Sequence, residues 1–203
     1  MTIRAVLFDF SGTLFRLEHD SLAAHAELML ALTAPVGVAE SLDVDPEQWE
    51  RRDLDPDAHR EMHLAVLAKA GAKDPEQFYA DLCSPPFWQP YPDTAQALGS
   101  EVPTAVVSNI AWDVRAVFAR HGVESRVDEF VLSYQEGVAK PDPKIFRIAC
   151  DRLGVHPSEA LMIGDSAEAD GGAAAVGCLV EIVEPLPTGS RPDALLQVLR
   201  KHI

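Results

Sequence analysis

Basic residues are scarce in this chain. Seventeen lysines and arginines stand against 32 aspartates and glutamates in 203 residues, a formal net charge of −15. Such a surface repels polyanions in bulk, which argues against nucleic acid as a partner. An anionic ligand must then be met by local cations. Cysteine is also scarce: Cys83, Cys150 and Cys178 are odd in number, widely spaced and form no CxxC. This argues against a disulfide framework and leads us to expect reduced thiols in a cytoplasm. No apolar run approaches the roughly 18 residues of a membrane span, so no membrane association is expected. The first ten residues carry Arg4 and Asp9 and read as a strand, not a signal peptide. No internal repeat is visible. The remaining composition, 47% hydrophobic and 24% charged, is that of an ordinary globular protein. The length suffices for one sizeable core or a core with a small second domain. We expect a monomer or a homodimer.

The elements are unevenly spread. A strand is expected over 3–8, followed by a long stretch without strands. Ser21–Leu32 reads as a helix with Ser21 as N-cap. Pro46–Ala70 has helical periodicity with a break near Pro56 and a stop at Gly71. Asp74–Leu82 reads as a helix capped by Asp74 with Pro75 at its first position. Residues 84–92, rich in proline and aromatics, read as a semi-rigid hinge. Regular alternation follows: helix 94–99, strand 102–107, helix 113–121, strand 129–132, helix 142–153, strand 160–163, helix 170–176, strand 179–183, helix 192–202. This predicts an α/β fold with a doubly wound parallel sheet. The helical block is an insertion after the first strand. The expected division is a core of residues 1–15 and 91–203 and a helical domain of residues 16–90.

Four strand ends carry polar groups. They are Asp9 with the Ser11-Gly12-Thr13 turn, Ser108-Asn109, Lys140, and Gly164-Asp165-Ser166 with Asp170 five residues after Asp165. In a parallel sheet all four fall on one edge and converge. By itself, Asp9 reads first as a turn residue, with nucleophile and cation ligand as its two functional uses. Two carboxylates, a hydroxyl, a lysine and turn amides in one crevice suit Mg²⁺-assisted phosphoryl transfer.

The set resembles the haloacid dehalogenase-like (HAD) hydrolase superfamily. Asp9-Phe10-Ser11-Gly12-Thr13 matches its first motif, usually DxDGT. Val106-Val107-Ser108-Asn109 matches the second, and Val138-Ala139-Lys140-Pro141-Asp142-Pro143 the third. Gly164-Asp165-Ser166 through Asp170 to Ala173 matches the fourth, GDSxxxDxxGA. The insertion looks like the small helical cap of the C1 type on a Rossmannoid core. The resemblance implies Asp9 as nucleophile and Mg²⁺ ligand. It implies the Ser11 carbonyl and Asp165 as further ligands, with Asp170 supporting the metal shell. Ser108 and Lys140 would hold the transferring group, with Asn109, Gly12 and Arg16 also on the substrate, and Thr13 would brace the turn. The implied substrate is a small phosphorylated metabolite.

Ser11 departs from the pattern. Phosphatases of this family usually carry a second Asp there, as general acid and base. A positioned acid or base typically contributes roughly 10²–10⁴ in rate. Three outcomes stand open: a phosphatase for good leaving groups, a dehalogenase or phosphonatase-type hydrolase, and a weak or inactive relative that binds phosphate-bearing ligands. The family's dehalogenases lack the metal-binding GDS that Asp165 preserves here, and phosphonatases need a cap lysine, where only Lys69 and Lys73 are available. Glu18, His19 and Asp20 are candidate substitute acids. His59 and His63, four apart, read as a solvated or partly packed face rather than a metal pair. Arg51-Arg52, flanked by Glu50 and Asp53, read as surface pairing.

Overall fold

The computed structural model describes residues 2–18 and 44–203. The expected helix over 21–32, and with it His19 and Asp20, lies outside the described residues. In chain order the elements are β1 (Ala5–Phe8), β2 (Phe15–Leu17), α1 (Pro46–Arg51), α2 (Pro56–Lys69), α3 (Pro75–Leu82), β3 (Trp88–Pro90), α4 (Thr94–Ala97), β4 (Thr104–Ser108), α5 (Arg115–Arg120), β5 (Glu129–Leu132), α6 (Ser133–Glu136), α7 (Pro143–Leu153), β6 (Ala160–Gly164), β7 (Leu179–Ile182) and α8 (Ala194–His202).

Five strands form one sheet in the order β5-β4-β1-β6-β7, and every pair is parallel. Alternation along each strand divides the core in two. Val6, Phe8, Val106, Leu132, Leu161 and Ile163 face one side, where Phe118 of α5 and Leu195 of α8 cover them. Leu7, Ala105, Val107, Val131 and Met162 face the other, under Ile145, Phe146 and Ala149 of α7. Helices on both faces explain why strands buried on both sides read as continuous apolar runs. This is the expected doubly wound α/β fold.

The helical block has its own apolar cluster of Trp49, Met62, Val66, Leu67 and Phe78. Helices here start in a common way. Asp45, Asp55, Asp74 and Asp142 each precede a proline, and each side chain accepts from a first-turn amide: Glu47 at 3.0 Å, Asp57 at 2.9 Å, Gln77 at 3.0 Å and Lys144 at 2.8 Å. The break near Pro56 is therefore a full stop, with Asp55 capping a second helix.

Two local expectations need correction. Residues 84–92 are not only a hinge: β3 pairs antiparallel with β2, Arg16 opposite Gln89 and Leu17 opposite Trp88. Three-residue strands carry too little periodicity to be seen in sequence, and Pro90 argued against one. Residues 170–176 form a 3₁₀ helix, not an α-helix. Gly171-Gly172 weakens α-helix there, and Gly172 lies tight against Pro141. The structure adds one feature to these: α8 is not capped from within its own sequence. Asp193 makes no capping bond. Instead Asp93, buried beside α4, accepts from the Leu195 amide at 2.8 Å and the Leu196 amide at 3.3 Å.

This remote cap should be separable from the local one. Asp93→Ala is expected to cost about 1–2 kcal/mol, lowering the melting temperature by about 2–8 °C at this size. Asp193→Ala should stay within about 0.5 kcal/mol. Thermal melts followed by circular dichroism compare the two; equal losses would contradict the assignment.

Candidate active site

All the strand ends singled out in the sequence lie at the carboxyl edge of the sheet, around one buried ammonium. Lys140 Nζ donates to Asp9 Oδ1 at 2.6 Å and to Asp170 Oδ1 at 2.6 Å. Its side chain is 3% exposed, so a solvated surface lysine is excluded. Carboxylate oxygens of Asp9, Asp165 and Asp170 lie within 4.8 Å of one another. Asp9 follows β1, and Asp165 follows β6, its neighbour in the sheet.

Three close approaches make this cluster possible. A Cβ on Gly12 would lie 2.3 Å from Asp165 Oδ2, and its φ of +76° is itself one that favours glycine. A Cβ on Gly164 would lie 2.0 Å from Asp170 Oδ2, and one on Gly172 would lie 2.4 Å from the Pro141 carbonyl. The last contact packs the segment bearing Asp170 directly against the residue after Lys140. Within the 165–170 loop, the Ser166 amide donates to Asp170 Oδ2 at 3.0 Å and the Ala169 amide to Ser166 Oγ at 3.1 Å.

Electrostatics follow from this crowding. Burial pushes Asp9 up to about 8; Asp170 and Asp165 add to the rise and Lys140 opposes it. Burial also raises Asp165, to about 6, with repulsion from Asp170 next. Burial alone would lower Lys140, but Asp170 and Asp9 outweigh it and hold the ammonium protonated. One lysine does not neutralise three carboxylates. The donors are all hard oxygens, which fits a hard divalent cation rather than a thiophilic metal. Among the described residues no other group of three such side chains is arranged this way.

The remaining expected residues fall into two groups. Ser108 ends β4 and is buried at the edge. The side-chain amide of Asn109 holds Lys140: Nδ2 donates to the Lys140 carbonyl at 2.8 Å, and the Lys140 amide donates to Oδ1 at 2.7 Å. Arg16 is committed elsewhere, pairing with Glu18 at 3.1 Å and donating to the Pro185 carbonyl. Glu18 in turn accepts from Thr188, from its amide at 2.8 Å and its hydroxyl at 2.7 Å. Thr13 does not brace the turn through its hydroxyl, which is buried without a partner. The brace is Arg191. It donates to the Gly12 carbonyl at 2.6 Å and to the Thr13 carbonyl, and lies 3.2 Å over the Tyr91 ring. Nothing in the run Gly189-Ser190-Arg191-Pro192 signals that role, because it depends on a contact across 178 residues.

The two histidines correct another expectation. His59 and His63 are buried, at 5% exposure each. Their rings stack at 3.9 Å, His59 Nδ1 pairs with the Tyr79 hydroxyl at 2.9 Å, and His63 Nδ1 donates to the His59 carbonyl at 2.7 Å. Burial lowers them to about 2 and about 4, so they pack as neutral rings. Arg51 does pair on the surface, with Asp55 at 3.1 Å. Arg52 does not: its side chain is 14% exposed and lies 4.2 Å over the Trp49 ring.

Adjacent glycines give the sharpest test of this packing. Gly172→Ala should destabilise the protein by about 1–3 kcal/mol and disturb the Lys140–Asp170 contact. Gly171→Ala meets nothing within 4 Å and should stay within about 0.5 kcal/mol. Denaturant titrations of both variants measure the difference.

Known proteins bear on this geometry. A family model for haloacid dehalogenase-like hydrolases matches residues 3–177. The chain is 30% identical over 186 residues to a glyceraldehyde 3-phosphate phosphatase of Methanopyrus kandleri, covering 83% of this chain and 78% of that one. It is 29% identical over 202 residues to an (S)-2-haloacid dehalogenase of Xanthobacter autotrophicus, covering 91% and 76%. The solved structure of an L-2-haloacid dehalogenase from Xanthobacter autotrophicus has a TM-score of 0.65 at 27% identity, covering 97% of this chain and 83% of that one. Motif order, sheet topology and these matches agree, and the chain belongs to the haloacid dehalogenase-like hydrolase family.

Proposed function

We propose that this hydrolase is a Mg²⁺-dependent phosphatase acting on a small phosphorylated metabolite, with residues 16–90 serving as a C1-type cap. The observation that carries this reading is the third carboxylate, Asp165, held against Asp9 and Asp170 within 4.8 Å. Asp9, the Ser11 carbonyl and Asp165 would hold the cation, with Asp170 behind them. When bound, it would neutralise charge on the phosphoryl oxygens.

The chain's own groups do the rest. An oxygen of Asp9 attacks phosphorus while the bond to the leaving oxygen breaks, leaving an aspartyl-phosphate. The Lys140 ammonium, placed by Asn109, offsets charge on the transferring group and on Asp9. Ser108 offers a hydroxyl to the phosphoryl oxygens. Water then attacks phosphorus and releases phosphate from Asp9. Ser11 is too weak an acid to protonate an alkoxide unaided. A dehalogenase reading draws on the uncharged residue at position 11 and on the haloacid dehalogenase relatives; Asp165 weighs against it.

The pH dependence has a definite sign. Asp9 ionises near 8 when folded, against an ordinary 3.8. Its folding penalty is absent below the lower value and grows as pH rises through the upper one. Metal-free protein should therefore lose stability across that window. Mg²⁺ binds the ionised carboxylates, so it should raise the melting temperature more at the alkaline end. Asp165→Asn should blunt this shift and reduce phosphate release from acetyl phosphate together. Chloride release from a haloacid, undiminished in chelator, would favour the dehalogenase instead.

A further inference from the structure

The insertion meets the carboxyl edge of the sheet at Asp53, in the turn between α1 and α2. Its side chain is 19% exposed. Two anchors set its place. On the core side, Ser133 Oγ donates to the Asp53 carbonyl and accepts from the Ile110 amide at 2.8 Å. Ile110 lies two residues beyond Ser108. On the insertion side, Arg52 reaches the Asp53 carboxylate at 3.4 Å. Arg52 is itself fixed by donating to the Trp49 carbonyl at 2.6 Å and by stacking on that ring. The turn is thus docked beside the strand end that carries Ser108.

Three other acids are held by closer bonds than the 3.4 Å pair of Arg52 with Asp53. Glu18 is held by Thr188 and Arg16. Asp142 caps α7. Asp113 accepts from the Arg115 amide and guanidinium, each at 3.0 Å.

Resting on the phosphatase reading, we propose that Asp53 performs the proton transfers that Ser11 cannot. As the bond from Asp9 to phosphorus forms and the ester bond breaks, the Asp53 carboxyl proton passes to the departing oxygen, which leaves as an alcohol. The Asp53 carboxylate then takes a proton from the water whose oxygen attacks the aspartyl-phosphate. Phosphate leaves, and both carboxyl groups are restored. Burial raises Asp53, against the pull of Arg52 and Lys140, which suits a group that gives and regains a proton.

The test compares wild type and Asp53→Asn on ethyl phosphate and para-nitrophenyl phosphate, with Mg²⁺ present. On ethyl phosphate kcat/KM should fall roughly 10²–10⁴-fold. The nitrophenolate needs no proton to leave, so its burst of release should fall less than about tenfold. Acid-quenched variant should then carry more phosphoryl-Asp9 by mass spectrometry than wild type. Asp53→Glu should recover part of the ethyl phosphate rate, and thermal melts check that each variant is folded. Equal losses on both esters, or none, would overturn this inference alone. A wild type that releases phosphate from neither ester would overturn the phosphatase reading and this inference with it.

Discussion

The site is organised around one buried charge. An ammonium with 3% exposure is tolerable only if it is paired and hydrogen-bonded, and Lys140 meets two carboxylates at 2.6 Å each. The main chain around it is correspondingly over-determined. Asn109 grips both its amide and its carbonyl. Pro141 packs on Gly172 so closely that no side chain fits between them. Gly172, within the 3₁₀ segment 170–176, allows the close approach that brings Asp170 up to that lysine.

A second constraint acts on the turn after β1. The backbone of Gly12 and Thr13 must stay next to Asp165, and the restraint comes from far along the chain. Arg191 carries the carbonyls of both residues and rests on Tyr91, which itself donates to the Leu186 carbonyl at 2.9 Å. The segment after β7 therefore braces the turn after β1, although four sheet strands and the whole insertion separate their sequences. The β2–β3 ribbon leaves from the same turn, since Phe15 stands opposite Pro90 and the Leu14 carbonyl accepts from the Tyr91 amide at 3.1 Å. The insertion and the turn that follows Asp9 are therefore mechanically adjacent.

Chemistry in this family diverges through few atoms. The chain is similar both to a phosphatase and to haloacid dehalogenases, and two positions bear on the choice. Asp165 adds negative charge that a hard cation would relieve. Ser11 stands where the first motif of this family usually carries a second Asp. Under the proposed reading the insertion makes good that loss, because its α1–α2 turn is docked on Ser133 and Ile110 rather than left over open solvent.

Short-range pattern determined much of this protein. Alternating strands and helices, the Asp74-Pro75 helix start and the four polar strand ends were legible because each depends on neighbours within a few residues. Parallel strands with helices on both faces then oblige those ends to share an edge. The sequence also marked Ser11 as the anomalous position. Only the tertiary structure decided the rest. That Asn109 holds Lys140, that Arg191 and not Thr13 braces the turn, that Asp93 caps α8, that His59 and His63 are buried, and that Asp53 docks on Ser133 depend on contacts between distant segments. A charged or polar side chain carries no local mark of its partner. Its role is set by burial and by which remote backbone groups need satisfying, and those exist only once the chain has folded.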